Sequence, residues 1–133
     1  MKILFIGGTR FIGRRTAELF VENGHQVAVF HRGQTNAPLP ASVQHIHGEH
    51  ENMDDFRETF RAFGPDVVVH MLLMEQGDTT RMLRVFRGVA PRVIVISSVD
   101  VYRAWGRLLN TEPGDIEPMP LTENSPLREE SYP

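Results

Sequence analysis

The chain has 133 residues, 41% of them hydrophobic and 23% charged, and a formal net charge of -3 at neutral pH. That length suits one domain, and the mild acidity argues against generic nucleic-acid binding. Cysteine is absent, so neither a disulfide framework nor thiolate chemistry is available and nothing suggests secretion.

Only four apolar residues, Ile3-Leu4-Phe5-Ile6, separate Lys2 from a glycine-rich segment. They are too few for a secretory apolar region, and no later run approaches the ~20 residues of a membrane-spanning helix, so the expectation is a cytoplasmic chain without membrane contact. The run reads as a buried strand. It breaks into Gly7-Gly8-Thr9-Arg10-Phe11-Ile12-Gly13 where a strand must reverse into a helix. Unpaired N–H groups and the positive dipole end of that helix suit a pyrophosphate. In this reading Gly7 makes the turn, Gly8 allows close approach of the backbone, and Gly13 lets the helix pack on the strand. Arg10 stands where a Gly-x-x-Gly-x-x-Gly spacing needs its middle glycine, and the glycines alone also fit an ordinary tight βα turn. A helix over 11–22, stopped by Asn23-Gly24, and a second strand over 26–30 complete a βαβ unit and favour the dinucleotide reading.

A polar loop over 31–42, holding Pro38 and Pro40, leads to a third strand over 43–47. Asn52 is placed to cap a helix reaching residue 63, in which Phe56, Phe60 and Phe63 recur at helical spacing before Gly64-Pro65. The fourth strand, over 66–71, holds Val67-Val68-Val69 without alternation, as in a parallel strand covered on both faces. A helix over 78–87 and a fifth strand over 92–96 follow. Right-handed crossovers then predict an α/β fold, a doubly wound parallel sheet of strand order 3-2-1-4-5. Residues 1–100 form the dinucleotide-binding domain. Residues 101–133 read as an irregular active-site or substrate loop, because Pro113, Pro118, Pro120, Pro126 and Pro133 are spread among polar and acidic residues.

His45, His47 and His50 form a His-x-His-x-x-His cluster, and imidazoles are common metal ligands. No carboxylate-histidine pattern elsewhere supports such a site. His45 and His47 share one face of an edge strand, where polar residues guard against aggregation, so no metal is expected.

Three segments occur in the order and spacing of a known family: Gly7-Gly8-Thr9-Arg10-Phe11-Ile12-Gly13, Asp66-Val67-Val68-Val69-His70, and Val95-Ile96-Ser97-Ser98-Val99-Asp100-Val101-Tyr102. The chain resembles the extended short-chain dehydrogenase/reductases, the NAD-dependent epimerase/dehydratase-like proteins. With Phe30-His31-Arg32-Gly33-Gln34-Thr35 after the second strand, it is most similar to the branch that includes the chloroplast stem-loop RNA-binding proteins. Pro120-Leu121-Thr122-Glu123-Asn124-Ser125-Pro126-Leu127 is similar to the family loop that leads toward a catalytic tyrosine. The likeness spans the whole chain, but only about the first half of a typical family member.

The resemblance implies a nicotinamide-dependent epimerase, dehydratase or reductase acting on a nucleotide sugar or similar hydroxylated small molecule. Its chemistry uses a tyrosine, a lysine four residues on, and a serine that orients the substrate oxygen. Ser98 matches the serine, and Ser97 lies beside it at the cofactor; both also suit a strand-ending turn. Gly106 stands four residues after Tyr102, a single proline follows Tyr132, and Lys2 is the only lysine. The chain therefore reads as an N-terminal fragment, stopped before the sixth strand and substrate domain and catalytically incompetent alone. Tyr132 is either the motif tyrosine or an upstream one. An exposed fifth strand is expected to favour homo-oligomers. Glu49 stands where the family often has an aspartate near the adenine, and equally suits a solvated loop acid. Leu72 and Leu73 stand where relatives often carry small residues beside the cofactor.

Charge bears on which dinucleotide binds. NAD-binding forms of this fold place an acid at the end of the second strand to bond the ribose hydroxyls. This chain has no carboxylate between Glu22 and Glu49; His31 and Arg32 stand at that place, with Arg10 in the nearby turn. Two guanidinium groups suit a 2′-phosphate, so NADP is expected over NAD, against the alternative that both arginines are merely solvated. The second class of function is a non-catalytic dinucleotide-sensing or RNA-binding relative. Arg10, Arg14, Arg15 and Arg32 form a local basic patch for it, but few aromatics flank them for base stacking.

Overall fold

The computed structural model describes residues 1–35, 38–72 and 76–129. They divide into two compact units, Met1–Ile96 and the chain from Ser97 onward. The first unit runs β1 (Lys2–Ile6), α1 (Phe11–Glu22), β2 (Gln26–His31), β3 (Gln44–His47), α2 (Arg57–Phe63), β4 (Val67–His70), α3 (Gln76–Phe86) and β5 (Val93–Val95). All neighbouring strands pair in parallel, in the order β3-β2-β1-β4-β5. This is the expected sheet. Apolar residues on both faces of β1, β2 and β4 produce it, since such strands must be covered on each side.

Alternate residues of those strands feed two separate cores. Leu4, Ile6, Ala28, Phe30 and Val68 pack with Phe60 of α2 and Met82, Val85 and Phe86 of α3. Ile3, Phe5, Val27, Val29, Val67 and Val69 pack with Ala17 of α1, backed by Phe20 and Val21. Phe30 meets the edge of Phe60 at 5.3 Å between ring centroids. Burying each such side chain stabilises the fold by roughly 1.5–3 kcal/mol.

The helix expected to start at Asn52 is split. A 3-10 segment, His50–Phe56, precedes α2, and Asn52 itself has φ -101° and ψ 17°, outside the helical region. Polar contacts hold this segment. Arg84 clamps Asp54 through both carboxylate oxygens at 2.7 and 2.6 Å, and His50 is bonded to His70. Arg57 donates to the carbonyls of Arg84, Val85 and Arg87, which satisfies acceptors at the end of α3.

The second unit is more ordered than its proline content predicts. It holds a 3-10 turn, Val99–Val101, and a helix, α4 (Arg103–Leu108). Glu117 accepts from Arg103 at 3.1 Å and Arg107 at 2.8 Å, while Glu112 accepts from Arg128 at 3.2 Å. Glu112 and Arg128 are almost fully buried. Gly106 is pressed against Glu112, whose Cδ lies 3.1 Å from the position of an added Cβ. Ion pairs between residues far apart in sequence have no periodicity, so a reading based on hydrophobic patterning misses this unit.

Breaking a buried pair leaves an uncompensated charge, which costs about 3–5 kcal/mol. Glu112→Ala is therefore expected to accelerate amide hydrogen exchange throughout α4. Unchanged exchange in α4 would show that the pair does not hold the unit.

Candidate functional site

The carboxyl ends of β1, β2 and β4 meet at a cavity of about 410 Å³. Its floor is the turn after β1. Gly7 has φ +79° and donates its N–H to Phe30 O at 2.9 Å, which ties the turn to the end of β2. Gly8 has φ +98°, a backbone conformation that side chains resist. A Cβ on Gly13 would lie 2.4 Å from Gly8 Cα, so the first turn of α1 rests directly on the glycine backbone. No side chain caps that end of α1, and its first turn carries no acidic residue. Phe11, Ile12 and Gly13 line the cavity, so the unpaired N–H groups and positive dipole end are offered to an anion there.

Most of the residues singled out in the sequence converge on this cavity. Gly7, Gly8, Thr9, Arg10, Phe11, Ile12, Gly13, Arg32 and Leu72 all line it. Glu49 is exposed, and its neighbours Gly48 and His50 form the wall. Ser97 and Ser98 belong to the second unit, where Ser98 Oγ accepts from the Asp100 N–H at 3.3 Å. Leu73 and Tyr132 lie outside the described residues. Among the described residues, the lining contains no carboxylate. Arg10 Nε donates to Thr35 Oγ1 at 3.1 Å, which draws its guanidinium toward the loop that carries Arg32. Arg14 and Arg15 are instead paired with Glu18 at 2.9 and 3.2 Å, and Arg15 also with Glu22. The basic patch is thus reduced to Arg10 and Arg32.

Two features of the wall go beyond the sequence reading. Phe11 has φ +46° although it opens a helix, and its side chain is 88% exposed. An aromatic residue in that region carries backbone strain, which concentrates at functional sites. Leu72 lies over the turn, its Cγ 2.8 Å from where a Cβ of Gly7 would be.

The histidines regroup. His50 does not join His45 and His47; its ring meets His70 at 5.2 Å between centroids, while His31 joins the other two. His70 is fully buried at the end of β4. Its Nδ1 accepts from the Leu72 N–H at 3.3 Å, so Nε2 carries the proton and donates to His50 Nε2 at 3.3 Å. His50 Nδ1 then faces Asp78 Oδ1 at 3.6 Å. Asp78 in turn pairs with Arg81 at 3.1 Å. Nothing in the sequence except a histidine inside an apolar strand signals this relay.

Burial, followed by the neighbouring His50, lowers the pKa of His70 from 6.5 to about 4. The unfolded chain therefore takes up this proton first as pH falls, so the stabilisation is complete above pH 6.5 and disappears on approach to pH 4. His70 is expected to account for about 3 kcal/mol of lost stability across that range. Urea titrations at several pH values should show a flatter acid limb for His70→Gln than for the parent chain. Parallel limbs would exclude His70 as the source.

A five-stranded parallel sheet of this order, with a glycine turn feeding a bare helix end beside the central strand, defines a Rossmann-like nucleotide-binding domain. More narrowly, the chain belongs to the NAD dependent epimerase/dehydratase family, whose sequence profile matches residues 3–127. It is 29% identical to the chloroplast stem-loop binding protein of 41 kDa b from Arabidopsis thaliana, over 88% of this chain and 34% of that protein. It is 27% identical to the UDP-glucose 4-epimerase of Streptomyces lividans, over 96% of this chain and 41% of that one. Among solved structures, the Bordetella bronchiseptica enzyme WbmG in complex with NAD superposes with a TM-score of 0.72 at 19% identity, over 96% of this chain and 44% of that one. The chain thus spans less than half the length of these relatives. No helix among the described residues is long and apolar enough to cross a membrane.

Proposed function

We propose that these residues are the cofactor-binding part of a cytoplasmic, nicotinamide-dependent epimerase, dehydratase or reductase that acts on a nucleotide sugar or similar hydroxylated small molecule. The cofactor in this reading is NADP(H) in preference to NAD. The observation that carries it is the bare amino end of α1 over a cavity whose described lining residues include two arginines and no carboxylate. Support for a nicotinamide cofactor also comes from the family and from the NAD held by WbmG.

The residues fit such a group. Gly7, Gly8 and Gly13 all line the cavity without a side chain, which leaves their backbone open to a pyrophosphate. Thr9, Phe11 and Ile12 frame it, and Arg10 and Arg32 neutralise a 2′-phosphate by charge-assisted hydrogen bonds. Glu49 is assigned to the adenine end, and Leu72 and Ser97 to the nicotinamide end. When bound, the cofactor supplies a hydride acceptor or donor. Ser98 is assigned to orient the substrate oxygen. These residues alone are assigned no turnover, because the sequence contains no tyrosine followed four residues later by lysine. A serine without a base to take its proton is a weak nucleophile.

One observation favours a second reading, a dinucleotide-sensing or RNA-binding relative: the match to a stem-loop binding protein. A single calorimetric experiment addresses both. NADP is expected to bind at least about tenfold more tightly than NAD, a difference of about 1.4 kcal/mol, and Arg10→Ala with Arg32→Ala should abolish the difference. Equal affinity for NAD and NADP overturns the preference. A stem-loop RNA that displaces NADP in the same titration favours the second reading.

Self-association is part of the proposal. β5 is an edge strand of the sheet, and Ile94, Val95 and Ile96 are each more than 40% exposed; unpaired apolar edges tend to associate. Light scattering should give a mass above the monomer's 15.1 kDa that rises with concentration. A constant monomer mass counts against it.

A further inference from the structure

We propose that His31, His45 and His47 form a binding site for a divalent transition-metal ion of the zinc class on the β2–β3 pair. The parallel register sets His31 opposite His47 and Val29 opposite His45. Residues two apart on a strand share a face, so all three imidazoles project from the face that α1 covers further back along the sheet. One ligand nitrogen from each lies within 4.8 Å of the other two. The ring centroids of His45 and His47 stand 5.0 and 4.7 Å from that of His31. Metal–nitrogen bonds of about 2.0–2.1 Å in a tetrahedral site place ligand nitrogens roughly 3.3 Å apart, so small side-chain rotations close the set.

Edge-strand protection explains polar residues at positions 45 and 47, but not the convergence on a third imidazole from the inner strand. His31 is half-buried, with His45 and His47 exposed. Three nitrogen donors without a carboxylate suit zinc, copper, nickel or cobalt better than magnesium or calcium. Three protein ligands also leave a fourth position for solvent or an exogenous ligand.

The present hydrogen bonds specify the proton movement that binding requires. The Gly33 N–H donates to His31 Nδ1 at 3.1 Å, so the His31 proton is on Nε2, 2.8 Å from His45 Nδ1. When a metal takes His31 Nε2, that proton moves to Nδ1, and no proton is released overall. The Gly33 N–H must then turn away. Gly33, at φ +78°, lacks the side chain that would resist the rotation. Metal occupancy is thereby linked to the peptide that follows Arg32.

The test is titration of the chelator-treated chain with cobalt chloride, followed by visible absorption, and with zinc chloride, followed by calorimetry. One equivalent of each metal is expected to bind, with the intense visible bands of tetrahedral cobalt. His45→Asn and His47→Asn, both at exposed positions, are each expected to weaken binding about tenfold or more; thermal melts of both variants check that the fold is kept. His25→Asn controls for the N-terminal amine, which lies 3.3 Å from His25 Nδ1, and should leave the stoichiometry unchanged. Three results overturn the site: no zinc binding by the parent chain, undiminished binding by the folded His45→Asn, His47→Asn double variant, or loss of binding in His25→Asn.

Discussion

The contact on which the site depends is the one between Gly13 and Gly8. With only 2.4 Å between Gly8 Cα and the place where a Cβ on Gly13 would be, α1 can descend onto the turn only because Gly13 has no side chain. That approach fixes where α1 begins, and so where its unpaired N–H groups lie. It also seats the turn on the core, since a Cβ on Gly8 would meet the ring of Phe5 at 3.1 Å, and Phe5 packs 6.0 Å from Phe20 of the same helix. The left-handed conformation of Phe11 costs roughly 1–2 kcal/mol. Burial of the α1 face against β1 and β2 offsets it, which is how a strained residue is held at the head of the helix.

What the strands end on then decides the character of the cavity. β2 ends in His31 and is followed by Arg32, so no carboxylate stands at the end of that strand. β4 ends in His70, whose tautomer is specified by the Leu72 N–H on one side and His50 on the other. Residues at strand ends in a parallel sheet have their backbone positions set by two neighbours at once. Side chains there are accordingly well placed for a ligand, and a single substitution changes the chemistry without changing the fold.

The parts legible in the sequence were those that repeat or punctuate. Val67-Val68-Val69 announced a strand covered on both faces, and the bounds of α1 followed from the glycine turn and Asn23-Gly24. The chain also showed in advance that no acid follows β2. What it hid were contacts between residues far apart in the chain. Nothing near His50 indicates His70, twenty residues on, and Asn52 looks like a helix cap until tertiary contacts tighten the segment into a 3-10 turn. The clamp of Glu112 on Arg128 is hidden for the same reason. His45 and His47 were legible as a pair on one face. Proximity in sequence suggests His50 as their partner, but the register of β2 and β3 brings His31 opposite His47 instead.

Histidine placement links these observations. Four of the six histidines, His31, His47, His50 and His70, lie at or just past the carboxyl ends of β2, β3 and β4, and His45 lies within β3. Burial favours the neutral form of His31 and His70, so these two line the strand ends without adding a fixed charge to the cavity. Among the described lining residues, the permanently charged ones are Arg10 and Arg32. In the proposed reading, discrimination between two dinucleotides that differ by one phosphate rests on those guanidinium groups, while the helix end and the glycine backbone serve the pyrophosphate that both share. Because Arg32 lies between His31 and Gly33, any event that turns the Gly33 peptide acts on the arginine through the chain itself. The histidine cluster and the proposed anion site are in this sense one loop read from two sides.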